Sequence, residues 1–255
     1  MKEISVFHEK FTAYEKEVKQ ILNNFTKKGN LISGGERNTL KTFLLSNDIR
    51  INVKAFKVPN LINQVAYKHF RKSKAQRSFE YANILQERNI GTPQPIAYIE
   101  YPSAFLFKKS FYICEHLEAD YTYRDLTKDF DIPNYEEILR AFTRFTYKLH
   151  ENQVLFLDHS PGNTLIKKEQ NAYSFYLVDL NRMQFKNLSF EERIKNFSRL
   201  TIHKKMVEIM SHEYAKCINE PYQKVFDLMW QETEAFQEKY HRKRRLKKKI
   251  KFWKK

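Results

Sequence analysis

Glycine is scarce in this chain, with five in 255 residues, and proline is little commoner at seven. So few backbone breakers argue against long structureless linkers, and no internal repeat is evident. Cysteine is almost absent. Cys114 and Cys217 stand far apart, fit no metal-ligand spacing and cannot build a disulfide framework, so the expectation is two buried, reduced thiols in a cytoplasmic protein. The eight histidines form no H-x-x-x-H or similar pair, which argues against a structural metal. No run of 18 apolar residues exists, so no spanning helix is expected. Met1–His8 lacks the apolar core of a signal peptide.

Aromatic side chains and positive charge are plentiful instead. There are 21 Phe and 15 Tyr, enough with the aliphatic residues to fill a sizeable core in a single domain. Lys and Arg number 46 against 30 Asp and Glu, a formal charge of +16. Ten of the basic residues lie in Arg242–Lys255, leaving +6 on the rest. Leu246, Ile250 and Trp253 fall at i, i+4 and i+7, one face of a helix. A basic amphipathic tail over 242–255 suits an anionic membrane surface, where each basic residue contributes on the order of 1 kcal/mol. The basic cluster Lys68–Arg77 would reinforce it. A solvated tail or a nucleic-acid contact would use the same charges, but no zinc spacing or RNA-recognition aromatic motif accompanies them, so nucleic acid is not the expected partner.

The strongest chemical signal is Leu155–Ile166. Asp158 is followed five residues later by Asn163, with Pro161 and Gly162 to turn the chain between them. Sixteen residues beyond Asn163, the apolar run Phe175–Val178 ends in Asp179. Phosphoryl transfer needs a base near the attacking hydroxyl and hard oxygen ligands for magnesium. Asp158 fits the base, and Asn163 and Asp179 fit the metal. By itself an Asp-x-x-Pro-Gly-Asn stretch is as often a polar surface turn. The second aspartate and the upstream order lower that reading.

Upstream, Ile51–Lys57 alternates like a half-buried strand, and Lys54 on it could reach the phosphates of ATP. Lys57 is the competing lysine. Arg77–Leu85 reads as a helix, and its Glu80 could pair with Lys54 and fix it. Before them, Gly34 and Gly35 form a Gly-Gly turn between strand-like runs, a loop that could offer N–H groups to phosphate.

The order of glycine-rich turn, strand lysine, helix glutamate, Asp-x4-Asn and strand-end aspartate resembles the protein-kinase-like superfamily. Val53–Asn60, Phe70–Ala82 and Ser160–Asn163 make it most similar to the Kdo/WaaP-type lipopolysaccharide kinases, over roughly residues 30–185. The resemblance implies an α+β fold with a sheet-based N-lobe (about 1–114), a helical C-lobe (about 119–241) and the ATP site between them. Glu115 and Leu117 would lie at the hinge that reads adenine through backbone groups. It also implies ATP and Mg2+ as cofactors, a lipopolysaccharide core or lipid A precursor as acceptor, and a place at the inner face of the cytoplasmic membrane. Four departures stand out. Phe156 replaces the histidine two residues before the base. Ser160 replaces the lysine two residues after it. Asn181 replaces the glycine after the metal-binding aspartate, tolerable because asparagine accepts left-handed backbone. No Ala-Pro-Glu segment follows. The second and fourth departures argue against a protein substrate.

A coarse pass predicts a helix over 10–25, three strands over 30–57, one or two helices over 60–88, two strands over 95–114 joined at Tyr101–Ser103, a helix over 135–151 and continuous helix over 190–240. Two other function classes compete with the kinase reading: a kinase-fold binding module without catalysis, and a basic nucleic-acid-binding protein. Joint retention of Lys54, Glu80, Asp158, Asn163 and Asp179 favours the enzyme.

Overall fold

A computed structural model describes residues 3–35, 38–58, 64, 72–102, 107–170 and 172–252, with side chains left out at 107, 108 and 248–252. Ser103, most of the expected helical stretch at 60–71, the start of the Lys68–Arg77 cluster and Trp253 lie outside it. Contacts divide the chain into two units, Met1–Glu118 with Leu177–Asn181, and Ala119–Tyr176 with Arg182–Lys255.

Among the described residues the first unit is a six-stranded antiparallel sheet with two α-helices and two short 3-10 turns. Its strands are β1 (Ile4–Phe7), β2 (Asn30–Gly34), β3 (Asn38–Leu44), β4 (Arg50–Phe56), β5 (Pro95–Pro102) and β6 (Phe107–Glu115), in the order β1-β5-β6-β4-β3-β2. Successive strand residues face opposite ways, and β4 uses both faces. Ile51 and Val53 join Ile99, Phe111 and Ile113 on one face. Val18 and Leu22 of helix α1 (Glu15–Asn23) cover it. Where one helix was predicted over 10–25, a 3-10 turn over Glu9–Tyr14 precedes α1.

Lys54, Tyr112 and Tyr98 are cross-strand neighbours on the other face. Helix α2 (Lys74–Glu87) packs there, Phe79 meeting Tyr98 at 5.5 Å between ring centroids. Ser73 caps α2, its Oγ accepting the Gln76 N–H at 3.0 Å.

The second unit holds short strands and five helices: β7 (Tyr121–Thr122), α3 (Tyr123–Leu126), α4 (Tyr135–Glu151), β8 (Val154–Phe156), β9 (Thr164–Lys168), β10 (Tyr173–Leu177, its last residue in the first unit), β11 (Met183–Phe185), α5 (Phe190–Lys195), α6 (Lys204–Ile218) and α7 (Tyr222–Phe252). Of the apolar residues Ile138, Phe142, Phe145 and Leu149 that recur at helical spacing along α4, three are buried core, each burial contributing roughly 1.5–3 kcal/mol, and Phe145 packs partly buried against them.

The predicted continuous helix over 190–240 is broken twice. α5 ends at Lys195 and a turn over 196–199 follows, Asn196 keeping right-handed helical backbone (φ −64°) as the C-cap. After α6, Asn219 adopts left-handed backbone (φ +53°) and Pro221 follows, a common helix stop. The basic tail is no separate element, for α7 carries on without a break into residue 252. Among the described residues its last buried one is Thr233, and 238–247 are exposed throughout. Both cysteines are free thiols. Cys114 is buried, which pushes its pKa up to about 12 although Lys54 opposes the shift, while Cys217 is only half-buried.

Candidate active site

Lys54 and Asp179 meet in the first unit. Antiparallel pairing with β3 and β6 holds Lys54 mid-strand on β4. The segment carrying Asp179 is pinned where β10 ends: Leu177 N–H donates to the Gly91 carbonyl at 2.8 Å, and Thr92 Oγ1 donates to the Leu177 carbonyl at 2.9 Å. Asp179 itself takes left-handed backbone (φ +60°), turning its carboxylate aside. Lys54 Nζ lies 2.7 Å from Asp179 Oδ1, with the two side chains 17% and 32% exposed. Asn181 Nδ2 donates to the same oxygen at 2.5 Å. The turn therefore asks for left-handed geometry at Asp179, not at Asn181, and Asn181 serves as a hydrogen-bond donor.

Glu80 shares the sheet face of Lys54 but does not pair with it. Lys72 Nζ holds both of its oxygens, at 2.9 and 2.8 Å, and Gln76 Nε2 donates to Oε1 at 3.0 Å. Neither Gly34, which ends β2, nor Gly35 has positive φ, and a Cβ on Gly35 would meet nothing within 4 Å. The left-handed glycine is Gly29 (φ +89°), where the Phe43 ring fills the place of a side chain. At the expected hinge, Glu115 N–H donates to the Gln94 carbonyl and His116 N–H to the Arg50 carbonyl. Leu117 makes no backbone hydrogen bond among the described residues, so its groups are open to a ligand.

Asp158 and Asn163 meet in the second unit. Asn163 Nδ2 donates to the Asp158 carbonyl at 2.8 Å and Asn163 N–H to the Ser160 carbonyl at 2.9 Å, which closes the loop. The amide oxygen of Asn163 takes no hydrogen bond from the described residues and is the atom a hard cation would use. Gly162 has no positive φ. Its lack of a side chain matters because Arg124 lies against it, Nη2 being 2.5 Å from where a Cβ would stand.

Sequence reasoning missed what holds this loop from outside. Asn196 Nδ2 donates to the Phe156 carbonyl at 2.9 Å. Its Oδ1 accepts from His150 Nε2 at 3.2 Å, and His150 Nδ1 accepts from the Tyr214 hydroxyl at 2.7 Å. That buried chain ties the Phe156 carbonyl, two residues before Asp158, to α4 and α6. Burial holds His150 neutral, its pKa lowered to about 4. His159, between the Phe142 and Phe156 rings, is lowered by burial to about 3, and neither of its ring nitrogens has a hydrogen-bond partner among the described residues.

Arg199 Nη1 donates to the Leu157 carbonyl at 2.8 Å and to Asp158 Oδ1 at 2.7 Å, while its guanidinium stacks on Phe236 of α7. Arg182 Nη1 lies 3.8 Å from Asp158 Oδ2. Arg199 lies 41 residues from Asp158 and belongs to no motif, so nothing in the sequence marks it. The alternating run Met183–Phe185 was the available hint for Arg182.

A sequence profile of the lipopolysaccharide kinase (Kdo/WaaP) family matches residues 57–222. No curated protein sequence matches this chain. Among solved structures, WaaP in complex with acyl carrier protein is similar at 15% identity and a TM-score of 0.62, over 91% of this chain and 98% of that one. At such identity the likeness speaks for the fold. The Rio2 kinase of Chaetomium thermophilum, solved as an ADP/Mg2+-phosphoaspartate complex, aligns over 82% of this chain and 65% of its own at 12% identity. Its TM-score of 0.48 is too low to carry an argument. The profile covers well over half of the residues, and the chain belongs to the lipopolysaccharide kinase (Kdo/WaaP) family, an α+β phosphotransferase of protein-kinase-like fold.

Proposed function

We propose that the protein transfers the γ-phosphate of ATP to a sugar hydroxyl of the lipopolysaccharide inner core, Kdo or heptose, on a lipid A-linked precursor. The observation that carries this reading is the ion pair between Lys54 and Asp179, 125 residues apart in sequence and 2.7 Å apart in space. A strand lysine beside a strand-end carboxylate is the donor set that nucleotide phosphates and a magnesium ion require. Lys54 is assigned to the phosphates, Asp179 and the amide oxygen of Asn163 to the metal, and Leu117 backbone groups to adenine. The bound magnesium would neutralise charge on the transferred phosphoryl group. Asp158 accepts the hydroxyl proton, and Arg199 and Asn163 fix its position.

The exposed basic stretch of α7 supports work at an anionic membrane face, where a lipid-linked acceptor is found. WaaP was solved with acyl carrier protein. A surplus of ten basic residues over 242–255 suits an acidic protein partner as well, bound as a partner and not as a phosphate acceptor.

The test is transfer of radiolabelled phosphate from ATP to isolated lipopolysaccharide precursors, with mass analysis of the product. Asp158→Asn should keep nucleotide binding and lower turnover by about 10²-fold or more, the scale of a lost general base. Full turnover in a folded Asp158→Asn protein would remove that residue from the chemistry.

A further inference from the structure

Strands β8 and β11 pair antiparallel with Met183 opposite Phe156, and just beyond them the Leu157 N–H donates to the Arg182 carbonyl at 3.0 Å. That register seats the Arg182 side chain beside Asp158, with Nη1 3.8 Å from Oδ2. Arg199 already holds the other oxygen, Oδ1, at 2.7 Å.

The two guanidiniums differ in kind. Arg199 is tied down by the Leu157 carbonyl and the Phe236 ring, and its Nε is buried. Arg182 is 61% exposed, and its long contact with Asp158 is its one charged contact among the described residues. Arg124 lies against Gly162 in the same loop. Three guanidiniums to one carboxylate leave two positive charges over at this loop. A base that collects a proton needs a carboxylate oxygen turned to the acceptor, and Arg182 stands over the oxygen that Arg199 leaves.

Building on the phosphotransferase reading above, we propose that Arg182, with Arg124, forms a subsite for an acidic group on the acceptor. The acceptor sugar then carries an oxyanion, carboxylate or phosphate, close to the hydroxyl that is phosphorylated. Binding of that oxyanion draws Arg182 away from Oδ2, and Oδ2 accepts the hydroxyl proton as the oxygen–phosphorus bond forms and ADP leaves. An exposed arginine is suited to this exchange, since its fork binds either carboxylate with similar geometry. Arg182 acts here as a specificity residue. A neutral acceptor would find Oδ2 still covered.

Two probes separate the possibilities: the methyl glycoside of Kdo, which bears a free carboxylate, and its methyl ester, which does not. The wild-type protein should prefer the acid by about 10- to 100-fold in kcat/KM, the range for one charge-assisted contact. Arg182→Ala should lower kcat/KM for the acid and raise it for the ester, with the KM for ATP unchanged. Arg182→Gln, similar in size but uncharged, should do the same. A merely structural role would lower both acceptors together. An unchanged acid-to-ester ratio in both variants overturns the proposal. So does a raised KM for ATP at constant ratio, which would give Arg182 to the nucleotide. If the wild type phosphorylates neither probe, the acceptor reading of the preceding section has failed for these sugars. The subsite is then judged by calorimetry: binding of the acid but not the ester, lost in Arg182→Ala, supports it, and its absence overturns it.

Discussion

Lowering the pH from 7 to 5 should destabilise this protein through two imidazoles at and beside the Asp158–Asn163 loop. His150 and His159 are each about 1% exposed, and burial lowers their pKa values from 6.5 to about 4 and about 3. Above pH 6.5 both histidines are neutral in the folded and unfolded chain, and their contribution is fully present. As pH falls below 6.5 the unfolded chain takes up protons that the folded one refuses, so stability drops until the folded imidazoles protonate near 4 and 3. At pH 5 an unfolded histidine lies 1.5 units below its pKa, so each costs about 2 kcal/mol and the pair about 4 kcal/mol. Against a total of roughly 5–15 kcal/mol this is a large fraction. Glu100, whose pKa burial raises, works in the opposite direction and offsets part of the loss. Urea unfolding followed by far-ultraviolet circular dichroism at pH 7 and pH 5 measures the difference. His159→Leu should remove about half of it and leave stability at pH 7 unchanged or higher, because two unpartnered buried nitrogens go with the ring. Stabilities at the two pH values agreeing within about 1 kcal/mol would refute the reasoning, as would a full pH 5 loss in His159→Leu.

Two further outcomes are expected. Lys54→Met should lower activity more than Lys57→Met. It should also cost about 1–2 kcal/mol of stability, since Asp179 loses one of its two donors in a partly exposed pair, whereas exposed Lys57 should cost nearly nothing; thermal melts and phosphate transfer on both variants check the ranking, and the reverse order would unseat Lys54. Deleting 242–255 removes no buried residue among those described, so the melting temperature should stay put while salt-sensitive binding to anionic vesicles falls; equal vesicle binding by the truncated chain would count against the membrane role.

Much of the fold could be read along the chain because its signals are local. Period-2 alternation marked β4, and a stripe of apolar residues marked α4. Spacing singled out Asp158, Asn163 and Asp179 as candidates, and the tight loop it implied between Asp158 and Asn163 is present. Where the reading missed, a partner distant in sequence decided. Periodicity could not see that the Asn196 side chain would donate to the Phe156 carbonyl, or that Glu80 would be taken by Lys72 and Lys54 by Asp179. The reason given for two residues also changed. Gly162 is small to make room for Arg124, and Asn181 donates a hydrogen bond instead of supplying a left-handed turn.

The sequence by itself determined the α+β class, the helical and strand segments with strong periodicity, and the residue types needed for phosphoryl transfer. Tertiary structure alone decided which charges meet. Hydrogen bonds and ion pairs reach only about 3–4 Å, and a chain of 255 residues offers many lysines and carboxylates that could pair. Strand register and helix packing choose among them, bringing Lys54 to Asp179, and Arg182 and Arg199 to the two oxygens of Asp158.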